Sequence, residues 1–342
     1  MKVLQVIDRL EAGGAERVFL DLTKLLLDNN IQVDTMTISG KGVLFSSIDK
    51  RSNQYFLNRV RKFSIKKMLE CSKICMNYDI VHVHMRHTYS YIRFAQIISG
   101  KKFKIILHDH FGDIDSNIQI PIGYDSLFKP KYYIGVSNSL TNWAQEKLNI
   151  KSNRIWLLRN TVLPNMDINK EIITKKWVVV SNIRVSKNIE FAIELAVLFD
   201  IELDIYGQYF NDSYSEKIKK MAEKYDKINI ISNEYNIQKK LKKYSLAIHV
   251  AHSESGPLVL MEYLIQGLPF IAHKTGEVAE IINKELPNCF VSSLKIDDWK
   301  IKIDYLDAHL PNETTLNNLF LKYFSPEEYV KKCLEIYNEI IS

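Results

Sequence analysis

The chain has 342 residues, 46% of them hydrophobic and 25% charged, with few glycines and prolines and a formal net charge of +6. That length exceeds one hydrophobic core and predicts two domains, and the composition excludes a disordered or fibrous chain. No apolar run is long enough to span a bilayer and the N-terminus carries no recognisable leader, so the expected setting is cytoplasmic.

Read in chain order, the period of the apolar residues switches repeatedly between two and 3.6. KVLQVI (2–7) predicts a strand, and EAGGAERVFLDLTKLLLDNN a glycine turn followed by an amphipathic helix. Strands are expected at IQVDTMTI (31–38), DIVHVH (79–84), FKIILHD (103–109), KYYIGVS (131–137) and RIWLLRN (154–160). Helices are expected at 66–78, 89–99 and 140–149. A polar stretch without period, TVLPNMDINKEIITKK (161–176), interrupts the pattern. The alternation then restarts with KWVVVSNI, a helix from NIEFAIELAVLFD, IELDIYGQ, a lysine-rich helix at 213–226 and INIIS. It continues with a short helix at 236–243, YSLAIHVAH, a helix opening at Pro257, PFIAH and a helix at 277–283. The segment 319–340 is helical, with Ser325 as N-cap before Pro326. Alternating strands and helices imply mostly parallel sheets covered on both faces. Two doubly wound α/β domains follow, which would bind ligands beyond the carboxyl ends of their strands in a shared cleft.

Charge is unevenly spread. Residues 1–168 hold 24 Lys+Arg against 15 Asp+Glu, and the remainder 22 against 25. Part of the excess lies in RVRKFSIKKMLE (59–70), read as a basic helix with an apolar side. Such a helix either rests on anionic lipid or buries that side in its own domain. No nucleic-acid-binding module is recognisable. Cys71, Cys75, Cys289 and Cys333 form no Cys-x-x-Cys pair and are expected to be reduced packing residues. Asp113 and Asp115 form an isolated Asp-x-Asp, and no metal-ligand cluster is visible around it.

The stretch HSESGPLVLMEYLIQGLPF (252–270) sets Glu254 and Glu262 about a Gly256-Pro257 step. Pro257 suits a first helical position, and Gly267 and Pro269 stop the helix. The unpaired N–H groups of a first turn accept anions, while carboxylates accept hydrogen bonds from hydroxyls. Together they suggest a phosphorylated sugar; an ordinary strand–loop–helix is the alternative.

In order, GGAERV (13–18), DIVHVH (79–84), LHD (107–109), VSNSL (136–140), NIRVSKN (182–188), ESGPLVLME (254–262) and GEVAEII (276–282) resemble the landmarks of glycosyltransferase family 4. The resemblance implies the GT-B fold, two Rossmann-like domains. An acceptor domain would span 1–168, a donor domain 169–320, and a helical segment 321–342 would cross back to the first. It also implies retaining transfer from a nucleoside diphosphate sugar, UDP before GDP, to a glycan or polyprenyl-pyrophosphate-linked acceptor in bacterial surface polysaccharide synthesis. No metal and no further cofactor is expected. A nucleotide-sugar epimerase of the same fold, or an inactive nucleotide-sugar-binding partner subunit, are the alternatives.

By the same resemblance, Glu262 would hold the ribose and Glu254 the transferred sugar, while Gly256, Pro257 and Leu258 form the helix mouth at the diphosphate. Lys187 and Arg184 would stabilise the leaving diphosphate, with Gly207 beside the nucleotide and Gly14 at the close approach of the first domain. His108 would sit near the transferred sugar, with Asp109, His84, Arg86 and His87 toward the acceptor. The chain departs from the family at Arg159 and Thr161, which flank Asn160, and at Glu277.

Overall fold

The computed structural model describes residues 1–61, 63–112, 114, 117–165 and 174–342. In chain order the first elements are β1 (Lys2–Ile7), α1 (Gly14–Asp28), β2 (Gln32–Thr37), β3 (Gln54–Phe56), α2 (Ile65–Cys75), β4 (Ile80–His84), α3 (Arg86–Ser99), β5 (Ile105–Asp109), β6 (Tyr132–Gly135), α4 (Asn138–Glu146) and β7 (Ile155–Leu157). There follow β8 (Thr174–Val180), α5 (Ile189–Leu198), β9 (Glu202–Tyr206), α6 (Ser213–Ala222), β10 (Ile228–Ile231), α7 (Gln238–Leu241), β11 (Tyr244–His249) and α8 (Leu258–Gln266). The last are β12 (Phe270–His273), α9 (Glu277–Asn283), β13 (Phe290–Val291), α10 (Ile296–Ala308), α11 (Glu313–Phe324) and α12 (Pro326–Ile341).

The chain folds into two compact units, Met1–Thr161 with Pro326–Ser342, and Val162–Ser325. Each carries the expected parallel sheet, of order β3-β2-β1-β4-β5-β6-β7 in the first and β10-β9-β8-β11-β12-β13 in the second. Strands with helices on both faces read as continuous apolar runs: in β1, Val3, Leu4, Val6 and Ile7 are all buried. Helices are held by one stripe; α1 buries Val18, Phe19, Leu22, Leu25 and Leu26. Their first turns are capped where the sequence offers an oxygen. Ser64, Ser137, Asp212 and Asn312 each accept from a backbone N–H three residues on.

In each unit the strand order reverses beside the first strand, at β1/β4 and at β8/β11. Those are the points where loops splay apart beyond the strand ends and leave a crevice.

α12 belongs to the first unit. Tyr329, Val330, Cys333, Ile336, Tyr337 and Ile340 form its buried stripe. Its last carbonyls, Ile340 and Ile341, accept from Lys104 Nζ at 2.7 and 2.9 Å, charge that opposes the negative end of the helix dipole.

Three departures from the sequence reading have local causes. β3, β13 and α10 carry no clean period; the two strands are only three and two residues long. The basic helix expected over 59–70 starts only at Ile65, because Ser64 caps it. Arg59 lies before that helix, paired with Asp8 at 3.5 Å and stacked on the Tyr91 ring at 4.6 Å; Lys62 lies outside the described residues. Pro257 caps α8 with extended backbone rather than occupying its first helical position. All four cysteines are free of disulfides and buried, as expected.

Candidate functional site

In the second unit, three loops meet beyond β8, β11 and β12. The first runs from Ser181 to Asn188. Ser181 N–H donates to Tyr206 O at 2.8 Å and Ile183 N–H to Gln208 O at 3.1 Å, clamping this loop to the one after β9. A Cβ on Gly207 would stand 2.0 Å from Ser181 O, so only glycine allows that approach. The loop then tightens into a 3-10 turn, Val185–Lys187, and Asn188 takes a left-handed conformation (φ 51°) to start α5.

The turn sets the Lys187 ammonium 2.5 Å from Glu254 Oε1, in the loop after β11. His252 N–H donates to Ser186 O at 2.8 Å and joins the two loops through backbone. The third loop closes on the backbone of the same segment. Gly276, at φ 81°, lies with its Cβ position 2.8 Å from Glu254 O, and Glu277 N–H donates to Ser255 O at 3.1 Å. Lys187, Glu254 and the opening turn of α8 therefore share one place, at the β8/β11 reversal.

His249, at the end of β11, was not singled out by sequence. Its Nε2 is 3.8 Å from Glu254 Oε1. Burial, followed by the Lys187 charge, pushes its pKa down to about 3, so it stands there neutral. The charge facing Glu254 at this point is that of Lys187. Arg184 lies in the same loop with its guanidinium 4.5 Å over the Phe210 ring. Tyr206 is a packing residue: its hydroxyl meets Tyr244 Oη at 3.0 Å in the core.

Glu262 lies one turn inside α8 and is fully buried. Its Oε1 accepts from Gln238 Nε2 at 3.3 Å, and Gln266 Nε2 donates to Gln238 Oε1 at 3.3 Å. Asn165 N–H also donates to Gln238 Oε1, at 3.0 Å. The carboxylate thus accepts from the Gln238 amide of α7, which the Gln266 amide of α8 orients in turn. The one sequence signal for Gln238 and Gln266 is a polar residue on an otherwise apolar helix face.

In the first unit, Gly13 caps α1 and Gly14 opens it, beyond the end of β1. The ends of β4 and β5 gather four imidazoles. His82, His84 and His108 are fully buried, and the His108 and His110 ring centroids are 4.2 Å apart. Burial pushes the pKa of His82 and of His110 down to about 3 and lowers those of His84 and His108 as well. All four are neutral at pH 7.

Nitrogens of His82, His84 and His108 lie within 4.8 Å of one another, a spacing that the sequence reading, with no visible metal cluster, did not anticipate. Hydrogen bonds already engage them. His82 Nε2 meets His108 Nδ1 at 3.0 Å and His84 Nδ1 meets His110 Nε2 at 3.0 Å. The outer nitrogens of His82 and His84 meet Tyr337 Oη at 2.7 Å and Gln5 Oε1 at 2.6 Å. A cation would have to displace these bonds, so the donor set does not favour one.

Asp109 and Arg86, expected toward an acceptor, are committed to each other. Asp109 accepts from Arg86 Nε and from Tyr133 Oη, both at 2.7 Å, and from Phe111 N–H at 3.1 Å. The guanidinium is sandwiched by Phe111 and Trp143, at 4.4 and 4.1 Å. This pair is an internal brace. His87 is exposed in the first turn of α3, and Asn160 is buried. Asp113 and Asp115 lie outside the described residues.

No curated protein matches the chain in sequence. Solved structures share its fold throughout. HepE from Anabaena, in complex with UDP and glucose, superposes with a TM-score of 0.80 at 12% identity, covering 99% of both chains. A glycosyltransferase from Rickettsia africae gives 0.77 at 18% identity, covering 100% of this chain and 98% of that one. A variant of TarM from S. aureus, in complex with fondaparinux, α-GlcNAc-glycerol and UDP, gives 0.76 at 14% identity, covering 98% and 99%. Two family models divide the chain between them: Glycosyltransferase Family 4 matches residues 12–164, and Glycosyl transferases group 1 matches residues 167–309. With both halves matched in order and both parallel-sheet units present, the chain belongs to the family 4 type of two-domain glycosyltransferases.

Proposed function

We propose that the chain transfers a sugar, with retention of configuration, from a UDP-sugar to a hydroxyl of a glycan or lipid-linked acceptor in surface polysaccharide synthesis. The observation that carries this reading is the Lys187–Glu254 pair at the mouth of α8, where the β8/β11 order reverses. A diphosphate placed there would share the Lys187 ammonium with Glu254 and meet N–H groups of the first turn of α8. As the bond from the anomeric carbon to the leaving oxygen breaks, charge develops on the diphosphate, and Lys187 stabilises it without reorganising. Glu254 then accepts from a sugar hydroxyl, and Glu262, held by Gln238, accepts from the ribose. Arg184 adds positive charge in the same loop. The leaving phosphate takes the acceptor proton, so the protein contributes positioning and charge stabilisation rather than a covalent nucleophile. The second unit is the donor domain in this scheme and the first the acceptor domain. UDP accompanies HepE and the TarM variant in their complexes, which favours it over GDP as the donor nucleotide.

Among the described residues no helix is long and apolar enough to cross a membrane. A lipid-linked acceptor would instead be met at a surface. Val60, Phe63 and Ile65 are 89%, 69% and 64% exposed, beside Arg61, Lys66 and Lys67. The Phe63 ring packs edge-on to Phe94, and Phe94 to Phe128, which follows the 97% exposed Ile122. Apolar tips among lysines and arginines suit the interface of an anionic bilayer.

Calorimetric titration with UDP-, GDP- and other nucleotide sugars, followed by nucleoside diphosphate release with membrane-extracted acceptors, tests the reading. Expected are binding of a UDP-sugar, release only with acceptor, and about tenfold or greater loss of donor affinity in Lys187→Met. Isomerisation of the donor without acceptor would indicate an epimerase, binding without turnover a partner subunit, and either result refutes transfer.

A further inference from the structure

Two hydrogen-bonded chains run through the histidines of the first unit. In one, Gln5 Oε1 meets His84 Nε2 at 2.6 Å and His84 Nδ1 meets His110 Nε2 at 3.0 Å. In the other, Tyr337 Oη lies 2.7 Å from His82 Nδ1, and His82 Nε2 lies 3.0 Å from His108 Nδ1. Tyr337 also contacts Cys333, whose thiol is pushed up to about 12 by burial and keeps its proton. An imidazole nitrogen is a far better acceptor than a thiol sulfur, so the single phenolic proton goes to His82. His82 Nε2–H then donates to His108 Nδ1, and the remaining proton of His108 sits on Nε2.

We infer that Tyr337, from the C-terminal helix, is a positioning residue that acts through His82 to hold His108 as a hydrogen-bond donor at Nε2. The inference rests on the proposed function only for the consequence in catalysis. His82, His108 and Tyr337 are fully buried, and neither His108 Nε2 nor His110 Nδ1 has a hydrogen-bond partner within the described residues. The Tyr337 chain thus ends on an N–H without a partner, a donor suited to an oxygen such as a hydroxyl of a sugar or of its acceptor. In this state His108 donates to an oxygen and does not accept a proton from it, which sets it apart from a general base. The device depends on α12 belonging to the first unit, since that helix brings Tyr337 to the end of β4.

The experiment is long-range proton–nitrogen NMR of the full chain labelled at histidine nitrogen, on wild type, Tyr337→Phe and His82→Gln, with melting curves and steady-state kinetics on each. Wild type is expected to show His82 and His108 each as a single tautomer protonated at Nε2. Tyr337→Phe keeps the ring and removes the proton donor; His108 is expected to lose its single tautomer, and kcat to fall about tenfold with the donor KM within about twofold. Mixed tautomers or an Nδ1-protonated His108 in wild type overturn the inference, even if no variant folds. So does an unchanged His108 spectrum in Tyr337→Phe. If wild type has no transferase activity, the proposed function fails, while the tautomer measurement still decides the role of Tyr337.

Discussion

Lowering the pH from 7 to 5 is expected to remove most of the stability of the first unit. His82 and His110 each have a folded pKa of about 3, against about 6.5 in an unfolded chain. The unfolded chain binds protons that the folded one refuses, so stability is fully present above about pH 7 and falls as the pH drops through 6.5 toward 3. At pH 5 the unfolded histidine is almost wholly protonated and the folded one almost wholly neutral, a loss of about 2 kcal/mol per group. His82 and His110 together lose on the order of 4 kcal/mol, and His84 and His108, shifted in the same direction, add to it. A domain with about 5–15 kcal/mol in total cannot absorb much more. Urea unfolding at intervals from pH 7 to 5, followed by tryptophan fluorescence, measures the effect. Trp143 and Trp156 report on the first unit, Trp177 and Trp299 on the second. The midpoint of the first-unit transition should fall steeply while its urea slope stays constant. Equal stability at pH 7 and 5 would refute the reasoning, since it would mean that the native cluster takes up protons as readily as water-exposed imidazoles.

Other substitutions probe single contacts. Gly207→Ala drives a methyl to 2.0 Å from Ser181 O and should cost about 1–3 kcal/mol in urea unfolding, with weakened donor binding because the Lys187 loop must shift. Asp109→Asn leaves the Arg86 guanidinium buried without its counter-charge and should cost about 3 kcal/mol, seen as a lower denaturation midpoint. Phe63→Ser together with Ile122→Ser should abolish co-sedimentation with vesicles containing anionic phospholipid while leaving the melting temperature within about a degree, because both side chains are largely exposed. Undiminished co-sedimentation would remove that surface from the acceptor scheme.

Much of the fold was legible because both sheets are parallel and buried on two faces, which writes them as apolar runs between amphipathic helices. The loops that carry Lys187 and Glu254 were legible as loops for a related reason: Gly256-Pro257 and Gly276 mark backbone turns, and the two charges lie beyond β8 and β11, outside the apolar runs. For Asp109 and Arg86 the sequence could not show their mutual pairing, since a charged residue beside a strand end reads the same whether it meets a ligand or its neighbour. Only the Tyr133 and Trp143 environment, contributed by β6 and α4, distinguishes the two. The basic stretch at 59–70 misled: its period continues through Ser64, but the Ser64 cap starts the helix later.

By itself the sequence determined the alternation of elements, the two-unit plan and the order of the motifs, because these depend on local period, caps and turns. The tertiary structure decided which charges neutralise each other and which nitrogens carry protons. Lys187 and Glu254 are 67 positions apart, and His82 and Tyr337 are 255 apart. No local rule relates residues so distant. Their coupling arises from strand order and from a C-terminal helix that returns to the first sheet, and burial there turns four ordinary histidines into a neutral, hydrogen-bonded network.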